Sequence, residues 1–339
     1  MKVGRFTAAT DPGRKRRQNE DAFVLRPPLF AIADGMGGAR AGEIASALAA
    51  SALNDSAAES GGEGRVKQLV QEANRRVHER AASDPATAGM GTTMTVALVE
   101  PDGEITFGHV GDSRAYVLRG DTLEQLTDDH SLVAELVRRG ELSERDAEIH
   151  PQRSVITRAL GTDPDVDVDA FTVRPEPGDV YLLCSDGLSD MVPGELIEQI
   201  LRAHRSNLDE AAKALVRAAN RGGGDDNITA VLFEVVADGA PAPSDPDDVT
   251  REQVLVSPDE EDTLHPEDGV PVIDDGASRA MDTMIVAPGE IDAALAEPVS
   301  DAQQAGTHEA GLGRRLLALL VIVALIAIIV VLVWWGLAR

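Results

Sequence analysis

Apolar positions along the first 236 residues fall into two rhythms. Runs rich in Val, Ile, Thr and Phe, bounded by Gly, Pro or Asp, read as strands over 21–27, 29–34, 92–100, 104–112, 114–120, 179–186 and 227–236. Where apolar residues recur at three and four positions, over 41–57, 65–82, 131–140 and 208–222, the period predicts helices. The strands at 104–108 and 114–118 are joined by a short turn and must run antiparallel. The expected fold class is α+β with antiparallel sheets, not a parallel doubly wound sheet.

Beyond residue 236 both rhythms stop. Residues 238–313 carry 19 acidic side chains against two arginines, Arg251 and Arg279, and no aromatic residue. Such a segment repels itself and lacks a core, which predicts a disordered linker over 237–313. A span of twenty residues without charge, proline or glycine follows, Leu316 to Trp335. At about 1.5 Å per residue it matches a hydrocarbon core of about 30 Å, with Trp334 and Trp335 placed for the interface. Three segments are therefore expected: a globular domain over 1–236, the acidic linker, and a transmembrane anchor over 314–339.

Charge and cysteine usage place the chain. Arg314 and Arg315 precede the span and Arg339 alone follows it, and the N-terminus has no apolar signal region, so residues 1 to about 313 are expected in the cytoplasm on a single-pass membrane protein. The lone Cys184 excludes an intramolecular disulfide and fits a reducing compartment. A net charge of −27 argues against a nucleic-acid partner.

The candidate chemistry lies where strands end. IADGMGG finishes an apolar run on Asp34 and then offers almost no side chains; Asp112 and Asp186 also close apolar runs, and Asp226 precedes one. An Asp-Gly alone is an ordinary turn signal, but four aspartates at strand ends can converge. Neither a phosphate-binding P-loop nor a G-x-S-x-G elbow is present. Cys184 lacks the arginine six residues on that a thiol phosphatase needs, Asp190 standing there, and reads as a buried strand cysteine. Carboxylates without clustered histidine or cysteine favour Mg²⁺ or Mn²⁺ over zinc or copper. Glycine beside a ligand aspartate lets a backbone carbonyl and water approach closely.

Six ordered stretches, RRQNEDAF, AIADGMGG, GMGTTMTVAL, HVGDSRAY, LLCSDGLSD and GGGDDNIT, resemble the successive motifs of the PP2C-type (PPM) metal-dependent serine/threonine phosphatases in their bacterial form. The resemblance covers about residues 1–236 and implies a sandwich of two antiparallel β-sheets flanked by helices. It implies that Asp34 bridges two cations, Mn²⁺ or Mg²⁺, and that the Gly35 carbonyl is a further ligand. Asp186 and Asp226 match the aspartates completing one shell, Glu20 an acid near the second ion, and Asp112 with Asp186 a third-metal site. Arg16 is favoured over Arg17 as the phosphate-binding arginine. Where animal members carry a histidine after Asp-Gly, this chain has Met36, so that proton donor is absent. Residues 126–161 resemble the family's flap, whose His150 reads as a turn or core contact rather than a ligand.

The function implied is hydrolysis of phosphoserine and phosphothreonine in proteins at a membrane, opposing a bacterial Ser/Thr kinase and acting on it or its substrates. A non-catalytic membrane scaffold on the same fold and a narrow partner-switching phosphatase are the alternatives.

Overall fold

A computed structural model of the chain describes residues 1–37, 41–56, 61–239, 253–255 and 284–285. In chain order it begins with strands β1 (Lys2–Asp11), β2 (Asp21–Arg26) and β3 (Leu29–Met36), then helices α1 (Ala41–Asp55) and α2 (Gly62–Ser83). Strands β4 (Gly91–Thr92), β5 (Met94–Val99), β6 (Ile105–Val110), β7 (Arg114–Arg119) and β8 (Thr122–Gln125) follow. The flap holds α3 (Leu132–Arg138), α4 (Glu144–Glu148) and the short β9 (Val155–Ile156). The second half supplies β10 (Asp169–Val173), β11 (Val180–Cys184), α5 (Asp186–Ser189), α6 (Gly194–Ala203), α7 (Leu208–Gly222) and β12 (Ile228–Val236), with β13 (Gln253–Leu255) and β14 (Met284–Ile285) beyond.

Two antiparallel sheets form the centre, as the sequence predicts. One has the order β1-β12-β11-β7-β8; the other runs β10-β6-β5-β3-β2-β13, with β4 paired to β3. Strands β3, β5, β6 and β11 are almost wholly buried because both faces are covered. Between the sheets Phe30 stacks on Phe233 at 4.3 Å and Phe233 on Tyr181 at 5.0 Å. Outside one sheet lie α1 and α2, whose Val66, Leu69, Val70, Ala73 and Val77 form a buried stripe at helical spacing. Gly108 on β6 permits that approach, since a Cβ there would come within 2.4 Å of Val66. Helices α6 and α7 cover the outer face of the other sheet.

Several elements go beyond the predicted set. β1 is an edge strand of mostly intermediate exposure, so its residues show no clean alternation. β8, β10 and α6 were likewise unpredicted. Within the expected linker, β13 pairs antiparallel with β2 and β14 pairs parallel with β9. Pairing to a sheet edge runs through the backbone and leaves no side-chain period to read. Among the described residues no helix is long and apolar enough to cross a membrane; Leu316–Trp335 and most of the linker lie outside them.

Candidate active site

Strand ends meet at one end of the sandwich. In the β2–β3 ladder Asp21 lies opposite Asp34, and the Gly35 amide donates to the Glu20 carbonyl at 3.1 Å. Asp34 is fixed from its backbone: its amide donates to Thr93 Oγ1 at 3.0 Å and its carbonyl accepts from Thr92 Oγ1 at 2.8 Å. Gly35 cannot be another residue, because a Cβ would lie 2.2 Å from the Gly42 carbonyl oxygen and 2.6 Å from that of Glu20. The three glycines after Asp34 thus include one whose missing side chain is the space for two other backbone segments.

The opposite sheet supplies Asp186 at the start of α5, just past β11, and Asp226 just before β12. Asn227 ties this sheet to the first: its Oδ1 accepts from the Glu20 amide at 2.7 Å, and its Nδ2 donates to the Gln18 and Pro12 carbonyls. Beneath them Asp21 is buried and accepts at Oδ2 from Ser185 at 2.8 Å and Thr229 at 2.6 Å. Asp112 follows Gly111 in the tight β6–β7 turn, where φ is +111°, a conformation that favours glycine.

These carboxylates perturb one another. Burial first, then the charges of Asp21, Asp186, Asp226 and Asp112, hold the Asp34 pKa well above the usual carboxylate range. Burial, then Asp226 and Asp112, does the same to Asp186. Asp21 and Asp112 are each pushed up to about 7, chiefly by burial. Asp34 and Asp186 nevertheless keep part of their surface exposed. Repulsion among like charges at this density calls for cations.

One cation comes from the chain. Arg16 Nη2 donates to Asp226 Oδ2 at 2.7 Å. Burial opposes the guanidinium's charge, but Asp226, and after it Asp34 and Glu20, outweigh it and raise its pKa. Arg17 is exposed. The structure thus places Arg16, Glu20, Asp34, Gly35, Asp112, Asp186 and Asp226 about one cleft.

The remaining fit is to hard cations. Asp186 Oδ1 and Asp21 Oδ1 are buried and accept no hydrogen bond, and every donor nearby is an oxygen, the set that suits Mn²⁺ or Mg²⁺. Among the described residues no three His, Cys, Asp or Glu side chains close tightly enough to hold one ion by themselves. Here a cation would complete its shell with the Gly35 carbonyl and water, as hard cations commonly do.

Other parts of the site were not anticipated. Asp21, directly after Glu20 at the head of β2, takes its role from Ser185 and Thr229, which lie far away in the sequence. Asp190, its pKa raised mainly by burial, is one of the charges acting on Asp112. Arg114 forks onto Asp129, with Nη2 to Oδ2 at 2.6 Å and Nε to Oδ1 at 2.9 Å. Met36 packs with Ile156 and Ala159 of the flap. His150 accepts at Nδ1 from the Gln152 amide, a turn contact as expected. Cys184 is fully buried and its thiol is pushed up to about 12, chiefly by burial, which removes it as a nucleophile.

Comparison with known proteins gives the same reading. The protein phosphatase 2C family model matches residues 14–232. The serine/threonine phosphatase stp of Listeria innocua is 42% identical over 237 residues, which is 66% of this chain and 93% of that protein. The crystal structure of the Mycobacterium tuberculosis serine/threonine phosphatase PstP/Ppp superposes with a TM-score of 0.65 at 38% identity, covering 69% of this chain and all of that one. A PstP catalytic domain in complex with two manganese ions matches with a TM-score of 0.64 at 37% identity, over 70% of this chain and all of that one. With its strand-end aspartates, its arginine and its sandwich, the chain belongs to the protein phosphatase 2C family of metal-dependent serine/threonine phosphatases, in its bacterial form.

Proposed function

We propose that this protein hydrolyses phosphoserine and phosphothreonine in proteins at the cytoplasmic face of a membrane, in opposition to a Ser/Thr kinase. The observation that carries the catalytic part is the convergence of Asp34, Asp186 and Asp226 with Arg16 in one cleft. A scaffold would have no use for carboxylates packed so closely that they raise one another's pKa.

Each residue has a task. Asp34, which feels the charges of Asp186 and Asp226, would with those two aspartates and the Gly35 carbonyl hold the cations, Mn²⁺ or Mg²⁺, and Glu20 would supply an acid near the second ion. When bound, two such ions activate a water for in-line attack and offset the charge of the phosphoryl group. Arg16 binds and orients the phosphate dianion, for which a planar guanidinium is better suited than an ammonium. Asp226 holds that guanidinium at the cleft. Attack on phosphorus breaks its bond to the seryl or threonyl oxygen and leaves inorganic phosphate and the free hydroxyl. Met36, buried against the flap, offers no proton for that oxygen. Asp112 with Asp186 would hold a third ion.

The membrane part rests on the apolar run Leu316–Trp335 and the acidic segment before it. A tether of this kind raises the effective concentration toward membrane-bound phosphoproteins without changing the intrinsic rate. The test is phosphate release by the full-length chain in detergent micelles with Mn²⁺, from phosphothreonine and phosphotyrosine peptides of the same sequence. The phosphothreonine peptide should be the substrate; equal or greater release from the phosphotyrosine peptide would contradict the assignment.

A further inference from the structure

A groove of about 1070 Å³ leads away from the carboxylate cluster. It runs from Asp112 and Asp186 between the β7–β8 hairpin, the flap helices α3 and α4, and the start of α6. Asp112 and Asp186 line its inner end and belong to the carboxylate cluster, so the groove opens onto the catalytic cleft. Part of its wall is apolar, from Val133, Val137, Met191 and Pro193, and its lining carries eight carboxylates against three arginines.

The three arginines are already engaged. Arg114 pairs with Asp129 at 2.6 Å, Arg138 with Glu135 at 2.8 Å, and Arg153 faces Asp190 at 3.9 Å. Among the described residues, no ion pair reaches the lining side chains Glu144 and Glu195. Ile149, 78% exposed, and Leu196, 40% exposed, are the large apolar side chains most open to solvent among the described residues. Ile149 comes two residues after Ala147 on one wall, and Leu196 directly after Glu195 on the other. An apolar wall of Val133, Val137, Met191 and Pro193, with an exposed aliphatic residue close in sequence to each side and with acids that no ion pair reaches, marks a surface for a polypeptide that brings both an apolar side chain and a positive charge.

We propose that this groove receives the polypeptide flanking the phosphorylated residue, and that it selects phosphoproteins with a Lys or Arg and an aliphatic residue close to that position. This rests on the phosphatase reading above and adds to it a substrate class. The chain's own linker is a poor occupant, since residues 238–313 bring 19 acids and two arginines to an acidic surface. Nucleic acid is excluded by the same charge.

The experiment separates binding from turnover. Fluorescent phosphothreonine peptides, one with Arg and Leu flanks and one with Glu and Ser flanks, are titrated with Mn²⁺ into the full-length Asp34→Asn chain and read by anisotropy. The basic, apolar peptide should bind about tenfold more tightly, with the difference shrinking as salt rises. Glu195→Lys and Leu196→Asp, introduced together, should remove the preference. In the otherwise wild-type enzyme the same pair should raise KM for the basic peptide while leaving turnover of p-nitrophenyl phosphate unchanged. Equal affinity for the two peptides, or a preference that survives both substitutions, would overturn the groove assignment whatever the activity. Absence of p-nitrophenyl phosphate turnover in the wild type would instead count against the phosphatase reading.

Discussion

His130 and Gly111 exchange two hydrogen bonds: the His130 amide donates to the Gly111 carbonyl at 2.8 Å, and the Gly111 amide donates to His130 Nδ1 at 3.1 Å. That pairing puts the ring proton on Nε2, which faces Asp169 Oδ2 at 3.1 Å, while the His130 carbonyl accepts from the Thr157 amide at 2.7 Å. One buried ring thus joins the flap to the residue before Asp112. Its pKa is lowered to about 4, mainly by burial and then by Arg158, so it works as a neutral imidazole.

Replacing the ring should loosen that joint. His130→Ala leaves the buried Gly111 amide without its acceptor, at a cost of about 1–3 kcal/mol. The variant should melt several degrees lower and bind its weakest Mn²⁺ ion less tightly, with the two tighter sites kept. Calorimetric Mn²⁺ titration beside a melting curve checks this; an unchanged third event would show that the clamp does not position Asp112.

The ion proposed at Asp112 would share a protein carboxylate only with Asp186. Asp112→Ala should reduce turnover without abolishing it and remove a third, weaker Mn²⁺ event while two remain, because each lost carboxylate takes away charge that offsets the cation's dehydration. Loss of all Mn²⁺ binding would place Asp112 in the core pair.

Arg16 and Arg17 separate by kinetics. Arg16→Lys keeps the charge but loses the planar fork, so kcat/KM on a phosphopeptide should fall about 10- to 100-fold. Arg17→Lys should stay within about twofold of wild type, its side chain being exposed. The reverse order would transfer the phosphate-binding role to Arg17.

The raised carboxylates make stability depend on pH and metal together. Asp21 and Asp112, with folded pKa values of about 7, bind more protons folded than unfolded between about pH 4 and 7. Their contribution is full below the unfolded value and is lost as pH rises through 7. His109 and His130, lowered to about 3 and about 4, contribute stability above about pH 6.5 and lose it on acidification. Between pH 6.5 and 8 only the carboxylates act, so with EDTA the melting temperature should fall by several degrees, on the order of 1–3 kcal/mol. Saturating Mn²⁺ should flatten the slope. An equal slope with and without Mn²⁺ would mean that cations do not bind these carboxylates.

Much of this was legible in the chain. The strand-end aspartates announced themselves because β3 and β11 are buried on both faces and read as continuous apolar runs, against which a carboxylate stands out. β1 was hidden by its half-exposed edge position. α6 carried a readable signal in Ile197, Ile200 and Leu201 after Pro193, but Leu196 is left outside, blurring the stripe. Asp21 and Asn227 escaped notice because their roles depend on partners more than 160 residues away, Ser185 and Glu20, which no local pattern records. His130 was invisible for the same reason: its meaning lies in Gly111 and Asp169.

The central claim is that cations held by strand-end carboxylates around Asp34 drive phosphoester hydrolysis. Its most direct test is phosphate release from a phosphothreonine peptide by the full-length chain and its Asp34→Asn variant, each with EDTA and with Mn²⁺. The wild type should turn over only with Mn²⁺, and Asp34→Asn, folded to the same melting temperature within a few degrees, should lose at least about 10²-fold in kcat. Comparable turnover by the variant, or full activity of the wild type in EDTA, would contradict the account.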